Sequence, residues 1–272
     1  MIKLLCLILL LLLILVGGKR GIKTYFTIYM NLLLILLLII IIGWGFSPII
    51  PTIVTCLIIS VIVLFFLNGV NIKTVCSFVS VFIILLIFLG ITFGIGNNIY
   101  AQGYSEETIE SISYVAYNCG INMLKLSNCI IIIGLIGNII DTSIAISSAL
   151  YEVHINNPKL TREELFESGM NIGRDILGTT TNTLFFAYLG GFMTLFIYFQ
   201  DFQYNFNMII NSKVFAIEFT RIMLRGTASF LIIPLTAIIT AVACKISKEE
   251  STVEVIKKPK KRKTKRTKKS TA

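Results

Sequence analysis

The chain is 272 residues long, 56% hydrophobic and only 14% charged. That balance excludes both a soluble globular domain and a disordered chain, and fits a polytopic membrane protein. Its net charge of +10 is uneven: 12 of the 24 basic and 3 of the 14 acidic residues lie from Lys245 onward, leaving residues 1–244 at +1.

In chain order, apolar stretches recur at Leu4–Val16, Tyr25–Ile42, Ile49–Leu67, Val75–Ile95, Cys129–Leu150, Ile176–Phe199 and Gly226–Cys244. A helix that crosses a bilayer needs about 20 apolar residues, so the pattern predicts an all-α transmembrane helix bundle of about seven spans. The first stretch is short enough for the core of a signal peptide, but Lys19, Arg20 and Lys23 follow it directly. These cations place its C-terminal end on the cytoplasmic side and favour a retained span. With the N-terminus outside, Lys73, Lys159, Arg162, Arg174 and the basic tail all fall inside, which predicts an N-out/C-in topology.

The longest connection, Gly96–Ser127, opens with Glu106, Glu107 and Glu110 in an expected interfacial helix. The inner loop Glu152–Asp175 contains Thr161-Arg162-Glu163-Glu164, a capping box flanked by Leu160 and Leu165, so a short helix over Arg162–Ser168 is expected there. Ahead of the last span, Phe215, Phe219 and Ile222 share one face and Glu218, Arg221 and Arg225 another. That pattern predicts a helix lying at the outer interface, with ion pairs of little energetic weight. Residues 1–244 form the expected transmembrane domain and 245–272 a disordered Lys-rich cytoplasmic tail, since charge without apolar side chains cannot fold. The tail's expected partner is an anionic leaflet, at about 1 kcal/mol per basic residue near the surface. Nucleic acid is the disfavoured partner, because the tail has no aromatic side chains for base stacking.

Asp141 is the most informative residue. It lies within Cys129–Leu150, a stretch with no Lys or Arg, and a carboxylate at membrane depth costs roughly 2.5–3.5 kcal/mol even on a lenient scale. Gly134, Asn138, Asp141, Ala145, Ser148 and Glu152 recur at helical spacing and form a small and polar stripe. Counted from the inner boundary, Asp141 and the Thr179–Thr183 run reach similar depths, so Asn138, Asp141, Ser148, Thr179, Asn182 and Thr183 are the expected intramembrane polar site. Two roles stay open. Asp141 is a proton or cation site in a transport path, or a protonated group that ties two helices together. The Thr run is weaker evidence, because membrane threonines commonly bond back to their own helix. No nucleophile–base pair or phosphate loop stands out, so an enzyme is not expected. Six cysteines without a C-x-x-C pair, and a single histidine (His154), lead to the expectation of no metal and no cofactor.

The runs Asp141-Thr142-Ser143-Ile144-Ala145-Ile146-Ser147-Ser148 and Ser168-Gly169-Met170-Asn171-Ile172-Gly173-Arg174-Asp175-Ile176 resemble the YibE/F family of membrane proteins. So do Thr181-Asn182-Thr183-Leu184, Gly18-Lys19-Arg20-Gly21, Gly69-Val70-Asn71-Ile72-Lys73-Thr74 and Ile233-Pro234-Leu235-Thr236-Ala237. The likeness covers most of residues 17–244. It implies a short, membrane-only member, without the extracytoplasmic N-terminal domain of longer ones, and sets the class without setting an activity. Asn171, Gly173, Arg174 and Asp175 become an inner-loop family motif. A longer YibE/F-like protein or a second copy is an expected partner. In layout alone the chain is also similar to the protein-export SecF and related proton-driven permeases. The resulting expectation is a permease-type component of a bacterial plasma membrane, the alternative being an accessory subunit that uses the same residues to pack helices.

Overall fold

The computed structural model describes residues 1–98 and 123–257. Glu106, Glu107, Glu110 and Cys119 lie outside them. Among the described residues the protein is helical throughout, in agreement with the expected all-α bundle. The elements are α1 (Ile2–Gly43), α2 (Ile49–Val61, continued by a π-helical stretch Ile62–Phe66), α3 (Ile72–Asn98), α4 (Met123–Asn156), α5 (Arg162–Gly191), α6 (Met193–Asp201), α7 (Phe206–Asn211) and α8 (Lys213–Lys257).

Among the described residues five helices are long and apolar enough to cross a membrane, and a sixth span results if α5 and α6, which meet at a 47° bend, are taken together. The two apolar stretches expected at the N-terminus both lie in α1. They are separated by Gly18, whose φ of 53° and ψ of −131° interrupt the helix. Only glycine adopts that conformation cheaply. A side chain at Gly21 would collide with the Leu13 carbonyl. In a straight helix, residues eight apart lie about 12 Å apart along the axis, so the chain folds back here. Arg20 Nη2 donates to Asn68 Oδ1 at 2.7 Å, which ties this bend to the α2–α3 turn. Arg20, Lys23 and Lys73 therefore gather at one end of the molecule.

The core is a three-helix junction of α3, α4 and α8, with α5 laid along α4 and α8. Phe88 and Leu85 of α3, Leu135 and Ile139 of α4, and Ala228 and Ile232 of α8 are fully buried in one cluster. Contacts between α4 and α8 advance together along both chains, from Ser127 with Arg221 to Asn138 with Ser229 to Ser143 with Thr236. The two helices are therefore parallel. By contrast Gly173 meets Ile233 and Gly169 meets Ala237, so α5 runs antiparallel to α8. The long aliphatic side chains left exposed on α1 and α2 suit hydrocarbon surroundings.

Three expectations need correction. The capping box at Thr161 is present, with Glu164 N donating to Thr161 Oγ1 (3.2 Å) and Thr161 N to Glu164 Oε2 (2.7 Å). The helix it starts does not end at Ser168, however, but continues to Gly191, so Asn171, Gly173, Arg174 and Asp175 belong to a helix and not to an inner loop. The glycines that suggested a loop are points of close approach: a Cβ at Gly169 would lie 2.8 Å from Leu150 Cδ1 and 3.0 Å from Ala237 Cβ, and one at Gly173 would collide with Ile233. Second, the Phe215–Arg225 segment is not a separate interfacial helix, because α8 is continuous from Lys213 and passes through Pro234. Third, α8 extends to Lys257, into the segment expected to be a disordered tail. The chain has no Gly or Pro from Thr227 to Lys257 other than Pro234, and Pro259 then disfavours helix at the residue before it. The rest of the tail lies outside the described residues.

These glycines permit a test by sign. Helix propensity alone would make Gly→Leu favourable by about 1 kcal/mol at any interior position. Gly173→Leu is expected to lower folded yield and thermal stability in detergent. Gly178→Leu is expected to be neutral or stabilising, because nothing lies within 4 Å of the place its Cβ would take.

Candidate functional site

Polar side chains meet the bundle on two sides of α4. Residues 141 and 143 project about 200° apart on a helix, which is nearly opposite. The structure separates them accordingly: Asp141 is exposed, while Ser143 and Ser147 are fully buried.

The buried side is a seam of hydroxyls at the α3–α4–α8 junction. Ser77 and Ser147 share a hydrogen bond of 2.6 Å, and Ser143 and Thr236 share one of 3.1 Å. Ser143 also donates to the Ser77 carbonyl at 3.3 Å. Ser77 and Ser80 bond back to the carbonyls of Lys73 and Cys76, both at 2.8 Å. Hydroxyls suit this position because each can bond within its own helix and still reach across. Thr240, one turn beyond Thr236, is buried with its Oγ1 unpartnered. Cys76 and Cys244 are buried free thiols, as are Cys56 and Cys129, which fits small membrane hydrophobes.

The other side is the groove between α4, α5 and α8. At one end the Arg225 guanidinium occupies the space that a side chain at Gly134 would fill, and its carbon lies 4.8 Å from the Tyr188 ring centroid. One turn along, Asn138 Nδ2 donates to Ser229 Oγ. Asp141 follows on the next turn and makes no hydrogen bond or ion pair among the described residues. Ser148, further along, is half-buried.

The expected site is therefore only partly assembled. Asn138 and Asp141 share the groove stripe, but nothing hydrogen-bonds Asp141 to Thr179, Asn182 or Thr183, all three of which are exposed. Thr179 bonds to the Ile176 carbonyl and Thr183 to the Thr179 carbonyl, each at 2.9 Å. The face of α5 turned inward carries Thr180 and Thr181 instead, and Thr181 Oγ1 is buried without a partner. On the same helix Asn171 Oδ1 accepts from Arg174 at 3.1 Å, Asp175 is exposed and Gly173 is buried.

A model of the YibE/F-like protein family matches residues 5–246. The chain belongs to the YibE/F-like family. No curated protein and no solved structure matches it. The runs that carried the resemblance lie in α1, at the α2–α3 turn and in α4, α5 and α8, and the one in α4 reaches both of its sides.

Two features are not anticipated by the sequence pattern. Ser143 and Ser147, and Thr236 and Thr240, are i,i+4 hydroxyl pairs, a visible signal that the charge on Asp141 outweighs. The cations Arg221 and Arg225 are expected at a solvated interface. Instead the Glu218–Arg221 pair is mostly buried, at 15% and 16% exposure, so the weak surface pairing expected for it does not apply.

The seam is open to a double-mutant cycle. Ser147→Ala leaves Ser77 its bond to the Lys73 carbonyl, so the expected loss is about 1 kcal/mol. Ser77→Ala with Ser147→Ala should cost less than the sum of the two single changes, as measured by reversible unfolding in mixed micelles.

Proposed function

We propose that this YibE/F-like chain is a permease-type component of a bacterial plasma membrane, with the α4–α5–α8 groove as its polar path and Asp141 as its titrating group. The observation that carries this reading is the position of Asp141 on the groove stripe, exposed and without a partner. A carboxyl that served only to fasten helices would be expected to bond across to a neighbour, as Asn138 does to Ser229. An ionisable group in a membrane helix that is left accessible is suited to picking up and releasing a proton or cation. In this reading the chain is not an enzyme and needs no cofactor. The basic tail holds anionic headgroups rather than nucleic acid, and a longer family member or a second copy completes the complex.

A second reading rests on its own observation. Gly137, Asp141 and Ala145 are exposed at four-residue spacing on α4. Small residues at that interval let another helix approach closely. On this reading the chain is an accessory subunit, with Asp141 bonding to a helix of its partner.

Reconstitution in proteoliposomes separates the two. If the groove is a transport path, Asp141→Asn should fold at wild-type yield and lower proton-coupled flux roughly tenfold or more, because the amide cannot ionise. Loss of an oligomer on blue native gels with Asp141→Asn, and no flux from wild type under any gradient, would establish the subunit reading instead.

A further inference from the structure

The polar end of the groove holds more positive charge than it balances. Glu218, Arg221 and Arg225 occupy successive turns of α8, and Glu218 forms an ion pair with Arg221. Arg221 Nη2 also reaches Ser127 Oγ at 3.4 Å. Arg225 has no carboxylate partner and no side-chain or backbone hydrogen bond to its guanidinium among the described residues. Its contacts are the Tyr188 ring and the bare backbone at Gly134. The Nε atoms of Arg221 and Arg225 are both buried and unpartnered.

We infer that Arg225 is the centre of a binding site for an oxoanion, a phosphate or carboxylate group, in the cleft between Gly134 of α4 and Tyr188 of α5. A guanidinium offers five donors in a planar fork that matches two oxygens of such a group. The ring of Tyr188 fixes the plane of that fork from one face. Gly134 supplies the room, because any side chain there would displace the guanidinium. Two guanidiniums and one carboxylate leave a net positive charge in a poorly hydrated cleft, which is costly, and a bound anion removes that cost. The charge count fits a single negative charge, since Glu218 already answers Arg221. Arg225 and Tyr188 are both partly exposed, which leaves the fork within reach of a ligand. The site stands whether or not the chain transports anything, because it rests on Arg225 and not on Asp141.

The oxoanion can arrive on a lipid headgroup or as a free solute, and thermal unfolding in nanodiscs distinguishes the sources. One arm uses phosphatidylcholine discs titrated with inorganic phosphate, with sodium chloride at matched ionic strength as the control. The other replaces part of the phosphatidylcholine with phosphatidylglycerol. A saturable rise in Tm in either arm is expected for wild type and for Lys159→Gln, a charge change at an exposed residue between α4 and α5. Arg225→Gln is expected to abolish the rise and to melt higher than wild type without ligand. Arg225→Lys keeps the charge but not the fork, so its midpoint should lie about tenfold higher in anion. It also serves as the informative variant if Arg225→Gln does not fold. Equal shifts in wild type and the Arg225 variants, a chloride effect as large as that of phosphate, or no shift in either arm would overturn the site. None of these results depends on flux, so this site and the transport reading fail separately.

Discussion

The parallel packing of α4 on α8 is the contact on which the other elements depend. Apolar side chains gain little by leaving hydrocarbon for a protein core, so association in a bilayer relies on close fit and on hydrogen bonds made between helices. Ser143 with Thr236 in the buried seam and Asn138 with Ser229 on the groove side provide those bonds at two levels along the pair. Once the pair is formed, α3 closes one side through Ser77 and Ser147, and α5 closes the other through the flat surfaces at Gly169 and Gly173. The outer helices α1 and α2 attach to this unit by apolar contact and by the Arg20–Asn68 bond.

Much of this was legible because it is local. Runs of Ile and Leu long enough to cross a bilayer identify helices without any partner, and the Thr161 box marks a helix start from four consecutive residues. The extent of α5 was not legible, because Gly169 and Gly173 read alike whether they lie in a loop or against a neighbouring helix. Only the presence of Leu150, Ala237 and Ile233 decides between those, and they come from distant parts of the chain.

The candidate site was half legible for a related reason. Asp141 announced itself by cost, and its stripe with Asn138 was found from spacing alone. Helical spacing, however, gives directions around one axis and says nothing of where the neighbours stand. The opposite face, with Ser143 and Ser147, is the one that enters the bundle, and the Thr179–Asn182–Thr183 face of α5 points away from it. Arg225 was misplaced because a cation near a span end is ordinarily solvated. Its depth is set by the gap at Gly134, a residue 91 positions earlier.

Pro234 divides α8 between these two chemistries. Lacking an N–H, it cannot donate to the carbonyl of Phe230, so the helix is missing one rung between Ser229 and Thr236. Below that rung the hydroxyl seam fastens α8 to α4 and, through Ser143 and Ser77, to α3. Above it the helix bears the guanidinium cluster and meets α4 through apolar packing at Ala228 and Ile232 and through hydrogen bonds at Asn138 and Ser127. A bend at this one joint would swing Arg225 relative to Tyr188 and Asp141 while the lower half stayed clamped. A lever made of α8 would have its fulcrum at Pro234, between the charged groove and the neutral seam.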